Sequence, residues 1–304
     1  MVVMVYEKSP KSIDEQVELL QQRGMGGDAE SIARRLTVVN YYRLSGYWYP
    51  FREVDDSFGI GTHIDEIWYR YMFDRRLRLL LLDAIERVEV SIRTKIAYQH
   101  SMKYGPFGYA TNPSSLLSSV DSTTREALLS RMHDETKRSR EEFMEHFRTK
   151  YGDEHSLPPL WIAAEVMSMG ALVSLFKVCP KDIRDEVARE FGIPEKVFAS
   201  WLLALNAARN IAAHHGRLWN RELGIKPLIP RPFVQPWWHD PFTISNNRVF
   251  ALLSICRHCL EVIAPNSGWP KRVSSFIEDS RGIPLRAMGM PDHWKEHRLW
   301  SIGS

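Results

Sequence analysis

Apolar residues recur at intervals of three or four along most of this chain, the spacing that places them on one face of a helix. The clearest stripe lies in residues 64–104 and consists of Leu77, Leu81, Ile85, Val88, Ile92 and Ile96. It predicts one long helix with a buried face. No segment shows a convincing alternation of apolar and polar residues, the pattern of a half-buried strand. The chain is therefore predicted to be all-α.

Shorter segments with the same period predict the remaining helices. They cover residues 12–22, 29–36, 126–151, 161–178, 181–191, 194–214 and 246–264, with another short helix near Ser274. Pro106 ends the long helix, and Pro194 is suited to open a later one because proline fits a first helical turn. Residues 111–124 are predicted to be a loop, and the proline-rich residues 224–243 an extended loop on the surface.

These elements suggest three parts. Residues 1–60 are predicted to be a small helical and aromatic lobe, residues 61–265 a helical core that includes loop 224–243, and residues 266–304 a clasp packed on the core. A chain of 304 residues is long enough to bury a full core. No apolar run approaches the ~20 residues of a membrane helix. Three cysteines without framework spacing fit a reducing compartment, so we expect a cytoplasmic protein without disulfides.

Candidate chemistry is concentrated at the end of the apolar helix 194–214. Arg209, Asn210, His214, His215 and Arg217 lie within nine residues. An imidazole, with an ordinary pKa near ~6.5, can exchange a proton at neutral pH, and a guanidinium binds phosphate oxygens. If the helix continues, Asn210 and His214 share a face and His215 is turned away by about 100°. These groups suit metal-free RNA cleavage through the 2′-hydroxyl, which would leave DNA uncut.

Spacing alone also permits a structural interpretation of the same cluster. Basic and amide side chains interact favourably with the dipole at a helix C-terminus, and Gly216 is a natural cap. In that case Gly216 ends the helix early and changes the position of Arg217. Both interpretations stay open on the cluster alone.

Several segments together resemble a known family. Arg209-Asn210-x-x-x-His214 is similar to the R-x(4–6)-H motif of HEPN-domain ribonucleases. Residues 40–51 (NYYRLSGYWYPF), 73–89 (FDRRLRLLLLDAIERVE), 158–170 (PPLWIAAEVMSMG) and 213–220 (AHHGRLWN) resemble the Abi family of bacterial abortive-infection proteins, of AbiD/AbiF-like or Abi_2 type. The resemblance implies an all-α, HEPN-like helical bundle with a small N-terminal lobe and a C-terminal extension. It also implies an endoribonuclease used in phage defence or as a toxin-like effector, in which Arg209, Asn210 and His214 are catalytic.

Other residues are candidates for supporting roles. His215 and Arg217 would assist the catalytic residues, and Glu86, Glu89 and Arg93 on the long helix either orient the cluster or form solvated ion pairs. Net charge is only +3, so an RNA-binding surface must come from local clustering. The exposed-looking basic candidates for RNA contact are Arg43, Arg75, Arg76, Arg78 and Arg221. The aromatic residues 40–51 are either a base-stacking platform or a packed corner of the fold.

Expected partners follow from the proposed chemistry. RNA is the expected substrate, and one histidine cannot serve as base and acid at once, so we expect a homodimer with a composite site. A small RNA or an antitoxin is a further candidate partner, whereas no membrane partner is expected. Cys256, His258 and Cys259 crowd one helix without ligands elsewhere, so no metal and no cofactor is expected. The alternative function is a non-catalytic helical module that binds RNA or protein.

Overall fold

The computed structural model describes residues 9–301. Over this range the chain forms thirteen α-helices, five 3₁₀ turns and no strand beyond two isolated β-bridges, which confirms the all-α prediction. The helices are α1 Ile13–Gln22, α2 Ala29–Val38, α3 Tyr41–Trp48, α4 Ile64–Tyr104, α5 Gly108–Thr111, α6 Ser122–Arg138, α7 Glu142–Tyr151, α8 Leu160–Val166, α9 Met169–Val178, α10 Lys181–Glu190, α11 Glu195–Ala213, α12 Val249–Ile263 and α13 Trp269–Glu278. The 3₁₀ turns are Tyr49–Phe51, Pro113–Ser115, Pro236–His239, Leu285–Met288 and Trp294–Glu296. Within residues 9–301, no helix combines the length and the apolar character needed to cross a membrane.

The chain divides into two compact units, Met1–Leu77 and Arg78–Ser304, with the boundary inside α4. In the first unit, α1 begins at a capping box in which the Ser12 hydroxyl and the Glu15 carboxylate each accept from the other's backbone N–H. The Asp28 side chain caps α2 by accepting from the Ser31 N–H, and the Asn40 side chain caps α3 by accepting from the Tyr42 N–H. Three polar residues placed before apolar runs therefore fix three helix starts.

The aromatic segment 40–51 contains both buried and exposed rings. Tyr47 and Trp48 are buried at 1% exposure, and the Tyr47 hydroxyl donates to the Asp74 carboxylate at 2.7 Å. Tyr42 and Tyr49 are 71% and 67% exposed. One side of α3 thus belongs to the core of the first unit, and the other side presents aromatic rings to solvent.

The predicted helix 126–151 is wrong in two respects. The helix α6 begins earlier, at Ser122, because Asp121 accepts from the Thr124 backbone N–H as an N-cap. It ends at Arg138, and α7 begins as a separate helix four residues later. The Arg148 guanidinium donates to the carbonyl of Ser139 at 3.0 Å and to that of Thr136 at 3.2 Å. These bonds satisfy carbonyl groups that the end of α6 leaves open, which a local pattern of charged residues does not reveal.

The predicted helix 161–178 is likewise two helices, α8 and α9. Met167 adopts an extended conformation, and the Ser168 hydroxyl accepts from the Ala171 N–H as the N-cap of α9. Apolar residues continue at helical spacing through this break, so periodicity alone does not detect it. At this break, the Met167 carbonyl accepts from Arg93 of α4 and the Ser168 N–H donates to Glu135 of α6.

The proline-rich loop lies along α11 and is anchored to it. The Trp201 indole donates to the Leu228 carbonyl at 2.7 Å, and the Leu228 N–H donates to the Ser200 hydroxyl at 2.9 Å. The prediction of a surface loop holds for Phe233, which is 80% exposed, but not for Trp238, which is fully buried. Trp238 packs against Trp201 with ring centroids 5.4 Å apart. The loop therefore contributes a side chain to the core.

Residues 266–301 pack on the rest of the second unit through buried tryptophans. The Trp269 indole donates to the Leu80 carbonyl of α4 at 2.7 Å, and the Trp300 indole donates to the Ser254 hydroxyl of α12 at 3.0 Å. Both rings are at most 1% exposed. The predicted boundaries at residues 60 and 265 remain predictions.

His258 is a buried residue of the core. Its Nε2 lies 2.8 Å from the Phe191 carbonyl, and burial lowers its pKa to about 4. Cys256 and Cys259 are also buried, and burial raises the pKa of both thiols. Nowhere in residues 9–301 do three His, Cys, Asp or Glu side chains gather in an arrangement that could hold a metal ion.

We expect His258 to destabilise the fold in acid. It stays neutral in the folded state down to about pH 4, whereas the unfolded chain takes up a proton near pH ~6.5. Its contribution is therefore complete above pH ~6.5 and is lost as pH falls towards 4, by up to about 3 kcal/mol. Thermal unfolding is measured at neutral and mildly acidic pH. The decrease in Tm on acidification should be smaller for His258→Gln than for wild type. His133→Gln, at an exposed position of α6, is the control and should behave like wild type.

Candidate active site

The helix α11 holds the candidate residues in a fixed orientation because one face is buried along its whole length. That face consists of Phe198, Trp201, Leu202, Leu205, Ala208 and Ala212. Near the C-terminal end, Asn210, Ala213 and His214 are exposed and Arg209 is half-exposed. The chemically useful side chains thus lie at the solvent-facing end of a rigid helix.

The helix ends inside the cluster, not after it. The last helical residue is Ala213 and His214 is the C-cap, so the condition that the helix continues through both histidines is not met. The Gly216 N–H donates to the Ile211 carbonyl at 2.8 Å and the His215 N–H to the Ala212 carbonyl at 3.0 Å. These two bonds make a Schellman motif. Its left-handed residue is His215, with φ of +58°, and not the glycine that follows.

Asn210 and His214 nevertheless keep the helical spacing expected of residues four apart. The His214 N–H donates to the Asn210 carbonyl at 3.0 Å, a helical bond between residues four apart. Both side chains are therefore at the same solvent-exposed end of α11. The chain leaves the helix at His215 in the left-handed conformation, so the two histidines do not follow one another on a continuous helix.

Arg209 lies within electrostatic range of Glu89 on α4. Burial raises the pKa of the Glu89 carboxyl above its ordinary value, and the positive charges of Arg93 and Arg209 act in the opposite direction. The Arg209 guanidinium also approaches the Asn210 side-chain oxygen at 3.4 Å. The charge of Arg209 therefore acts on the Glu89 carboxylate, whose ion-pair partner is Arg93.

Glu89 and Arg93 form a largely buried ion pair. Arg93 donates to the Glu89 carboxylate at 2.9 Å and to the Met167 carbonyl at 3.0 Å. The two side chains are only 14% and 12% exposed. The alternative interpretation of this pair as solvated is therefore wrong, whereas Glu86 on the same helix is exposed.

Arg78 differs from the other basic candidates. Arg43, Arg75, Arg76 and Arg221 are exposed, but Arg78 is 4% exposed. Its guanidinium lies 3.4 Å from the Gly216 carbonyl, directly after the histidine pair. Its expected role as a surface phosphate contact is therefore corrected, because the side chain lies beneath the loop that follows His215 and helps to hold it.

The family model for Abi-like proteins, Abi_2, matches residues 34–220, which is more than half of the chain. The chain belongs to the Abi-like family. The matched range contains Glu89, Arg93, Arg209 and His214, and membership suggests a role in abortive infection and phage defence. No curated protein and no solved structure matches the chain.

In this Abi-like protein, residues of α6 hold the backbone segment that Arg93 contacts. The sequence analysis did not identify these residues. The Glu135 carboxylate of α6 accepts from the Ser168 N–H at 2.9 Å and from its hydroxyl at 2.7 Å. Arg131 donates to the same hydroxyl at 2.9 Å. These bonds hold the break between α8 and α9, and so the Met167 carbonyl that Arg93 contacts. Charged residues occur on several sides of α6, so its sequence did not distinguish Arg131 and Glu135 as residues that hold this break.

The left-handed conformation of His215 gives a test of the helix end of this Abi-like protein. Glycine adopts this conformation freely, whereas alanine is strained there. We expect His215→Gly to be about 1 kcal/mol more stable than His215→Ala in denaturant unfolding, although both lose the imidazole. The same two substitutions at His214, whose φ is −86°, should show the opposite order. Equal stabilities at position 215 would contradict the turn.

Proposed function

We propose that this Abi-like protein is a metal-independent endoribonuclease that acts in abortive infection or as a toxin-like effector. The observation that carries the proposal is the exposed His214 at the C-cap of α11, with Asn210 one turn and Arg209 little more than one turn before it. An exposed imidazole can exchange protons with RNA, and a guanidinium at the same end of the helix can neutralise its phosphate.

The reaction needs three roles. A base removes the proton of the 2′-hydroxyl, whose oxygen attacks the adjacent phosphorus, and the bond to the 5′-oxygen breaks as an acid protonates it. The products are a 2′,3′-cyclic phosphate and a 5′-hydroxyl. Arg209 stabilises the charge on the pentavalent phosphate, His214 exchanges the proton, and Asn210 orients the substrate. DNA lacks the attacking hydroxyl and is not cleaved.

A second copy of the chain would complete the site. One imidazole cannot remove and donate a proton at the same moment, so a second proton-exchanging group is needed. A two-fold axis near the exposed Ala213 would bring a second Arg209 and His214 to the same groove, since alanine allows close approach. A monomer that cleaves RNA at the wild-type rate would refute this arrangement.

Glu89 is the positioning residue for Arg209 in this proposal. Its carboxylate is held by Arg93, which is in turn fixed by the Met167 carbonyl. Electrostatic attraction from a largely desolvated carboxylate is stronger than from a solvated one. The guanidinium of Arg209 is therefore pre-oriented before substrate binds.

The decisive experiment is an assay with labelled single-stranded RNA in EDTA, beside DNA of the same sequence. We expect cleavage of RNA only, with cyclic phosphate ends, and no cleavage by Arg209→Ala or His214→Ala. Cleavage that persists in both variants would refute the assigned residues. RNA binding without cleavage by wild type would instead favour the non-catalytic helical module.

A further inference from the structure

Two exposed tyrosines on the first unit lie seven residues apart on one face of α3. The helical conformation extends to Tyr49, whose N–H donates to the Ser45 carbonyl. Residues seven apart on a helix lie nearly above one another, with Cα atoms about 10.5 Å apart along the axis. The residues between Tyr42 and Tyr49 on this face are Ser45 and Gly46, which are small. The two tyrosines are therefore separated by small side chains that leave space between the rings.

A series of ring contacts links Tyr42 to the core. The Tyr42 ring meets the Tyr41 ring edge to face with centroids 6.0 Å apart, and Tyr41 meets Trp48 in the same way at 4.9 Å. Trp48 is buried and packs on Phe58. An exposed ring supported in this way loses little conformational freedom when a ligand binds, which favours affinity.

The charge of this segment suits a polyanion. Residues 31–52 contain four arginines and neither aspartate nor glutamate. Arg35 pairs with Asp65, and Arg52 pairs with Asp56. Arg34 and Arg43 are both exposed. Aromatic rings interleaved with basic residues are the usual means of binding single-stranded nucleic acid without reading its sequence.

We propose that Tyr42 and Tyr49 bind two stacked bases of a single-stranded RNA between their rings, with Arg43 on the phosphate backbone. Adjacent stacked bases are about 3.4 Å apart, so a ring, two bases and a second ring span about 10 Å, the spacing of the two tyrosines along the helix. The choice of RNA as ligand rests on the proposed function. The base-stacking face itself belongs to the first unit, whereas the candidate residues of α11 belong to the second.

The test is fluorescence anisotropy of a short labelled oligoadenylate, with full-length protein that carries His214→Ala so that the RNA stays intact. In this background we expect Tyr42→Ala and Tyr49→Ala each to weaken binding by about 5- to 100-fold, the effect of losing one stacked base. Tyr42→Phe keeps the ring and should bind like the parent protein. Tyr69→Ala removes another exposed tyrosine of the first unit, 40% exposed, and is the matched control.

Several results would overturn the proposal. These are unchanged binding by both alanine variants, an equal loss in Tyr69→Ala, and tighter binding of duplex DNA than of the single strand. Equal affinity for the matching DNA oligonucleotide would overturn the assignment to RNA, because the 2′-hydroxyl is the group by which a protein distinguishes RNA from DNA. Binding is measured without cleavage, so an inactive wild-type protein would refute the proposed function and leave this proposal standing.

Discussion

Replacement of His214 by alanine is expected to slow RNA cleavage by about 10²- to 10⁴-fold, the usual contribution of a general acid or base. The side chain is exposed, so its loss should leave the free energy of unfolding nearly unchanged. The measurement is the single-turnover rate constant in EDTA with RNA bound at saturation. Because the effect arises in the chemical step, the affinity for RNA should change much less than the rate.

Two control variants make this prediction specific. His133→Ala removes an exposed histidine of α6 and should cleave at the wild-type rate. His215→Ala tests whether the neighbouring imidazole, and not that of His214, exchanges the proton. A large loss in His215→Ala with little loss in His214→Ala would transfer the proton-exchange role to His215 and contradict the assignment.

Replacement of Arg209 by lysine is expected to reduce cleavage by about 10²- to 10³-fold although the positive charge is kept. Lysine cannot offer two parallel N–H donors to a phosphate, so stabilisation of the pentavalent phosphate is lost. Single-turnover rates measured as above should show the loss in the chemical step. Arg189→Lys, at a side chain 70% exposed on α10, is the matched control.

The electrostatic influence of Arg209 on Glu89 extends this prediction to α4. Glu89→Gln removes the negative charge beside Arg209 but keeps the size of the side chain. If Glu89 positions Arg209, combining Glu89→Gln with Arg209→Lys should cost less than the product of the two single losses. Independent effects that multiply would contradict the positioning role.

Local patterns predicted the helices well because helix formation depends on neighbours three and four residues away. The stripe from Leu77 to Ile96 identified α4 with both of its ends as observed, Ile64 and Tyr104. Each of the next two predicted helices, 126–151 and 161–178, is divided into two helices in the structure. In both cases the chain stops a helix where a distant side chain, Arg148 or Glu135, satisfies the backbone. A hydrophobic period cannot report a bond of that kind.

The motif of the candidate site was visible in the sequence because Arg209, Asn210 and His214 lie within six residues of one helix. Its surroundings were not. The burial of Arg78 and its approach to the Gly216 carbonyl join residues 138 positions apart. Glu89 was a candidate, but only the fold showed that it is largely desolvated and close to Arg209.

The sequence by itself thus determined an all-α chain, the positions of most helices and the residues of the candidate motif, since each depends on spacing over one or two turns. Tertiary structure alone decided where helices break, which charges are buried and how the helix ends at the histidine pair. The left-handed His215 illustrates the reason. A glycine stands beside it at position 216, and local preference would place the turn there, but the bonds to Ile211 and Ala212 put it one residue earlier.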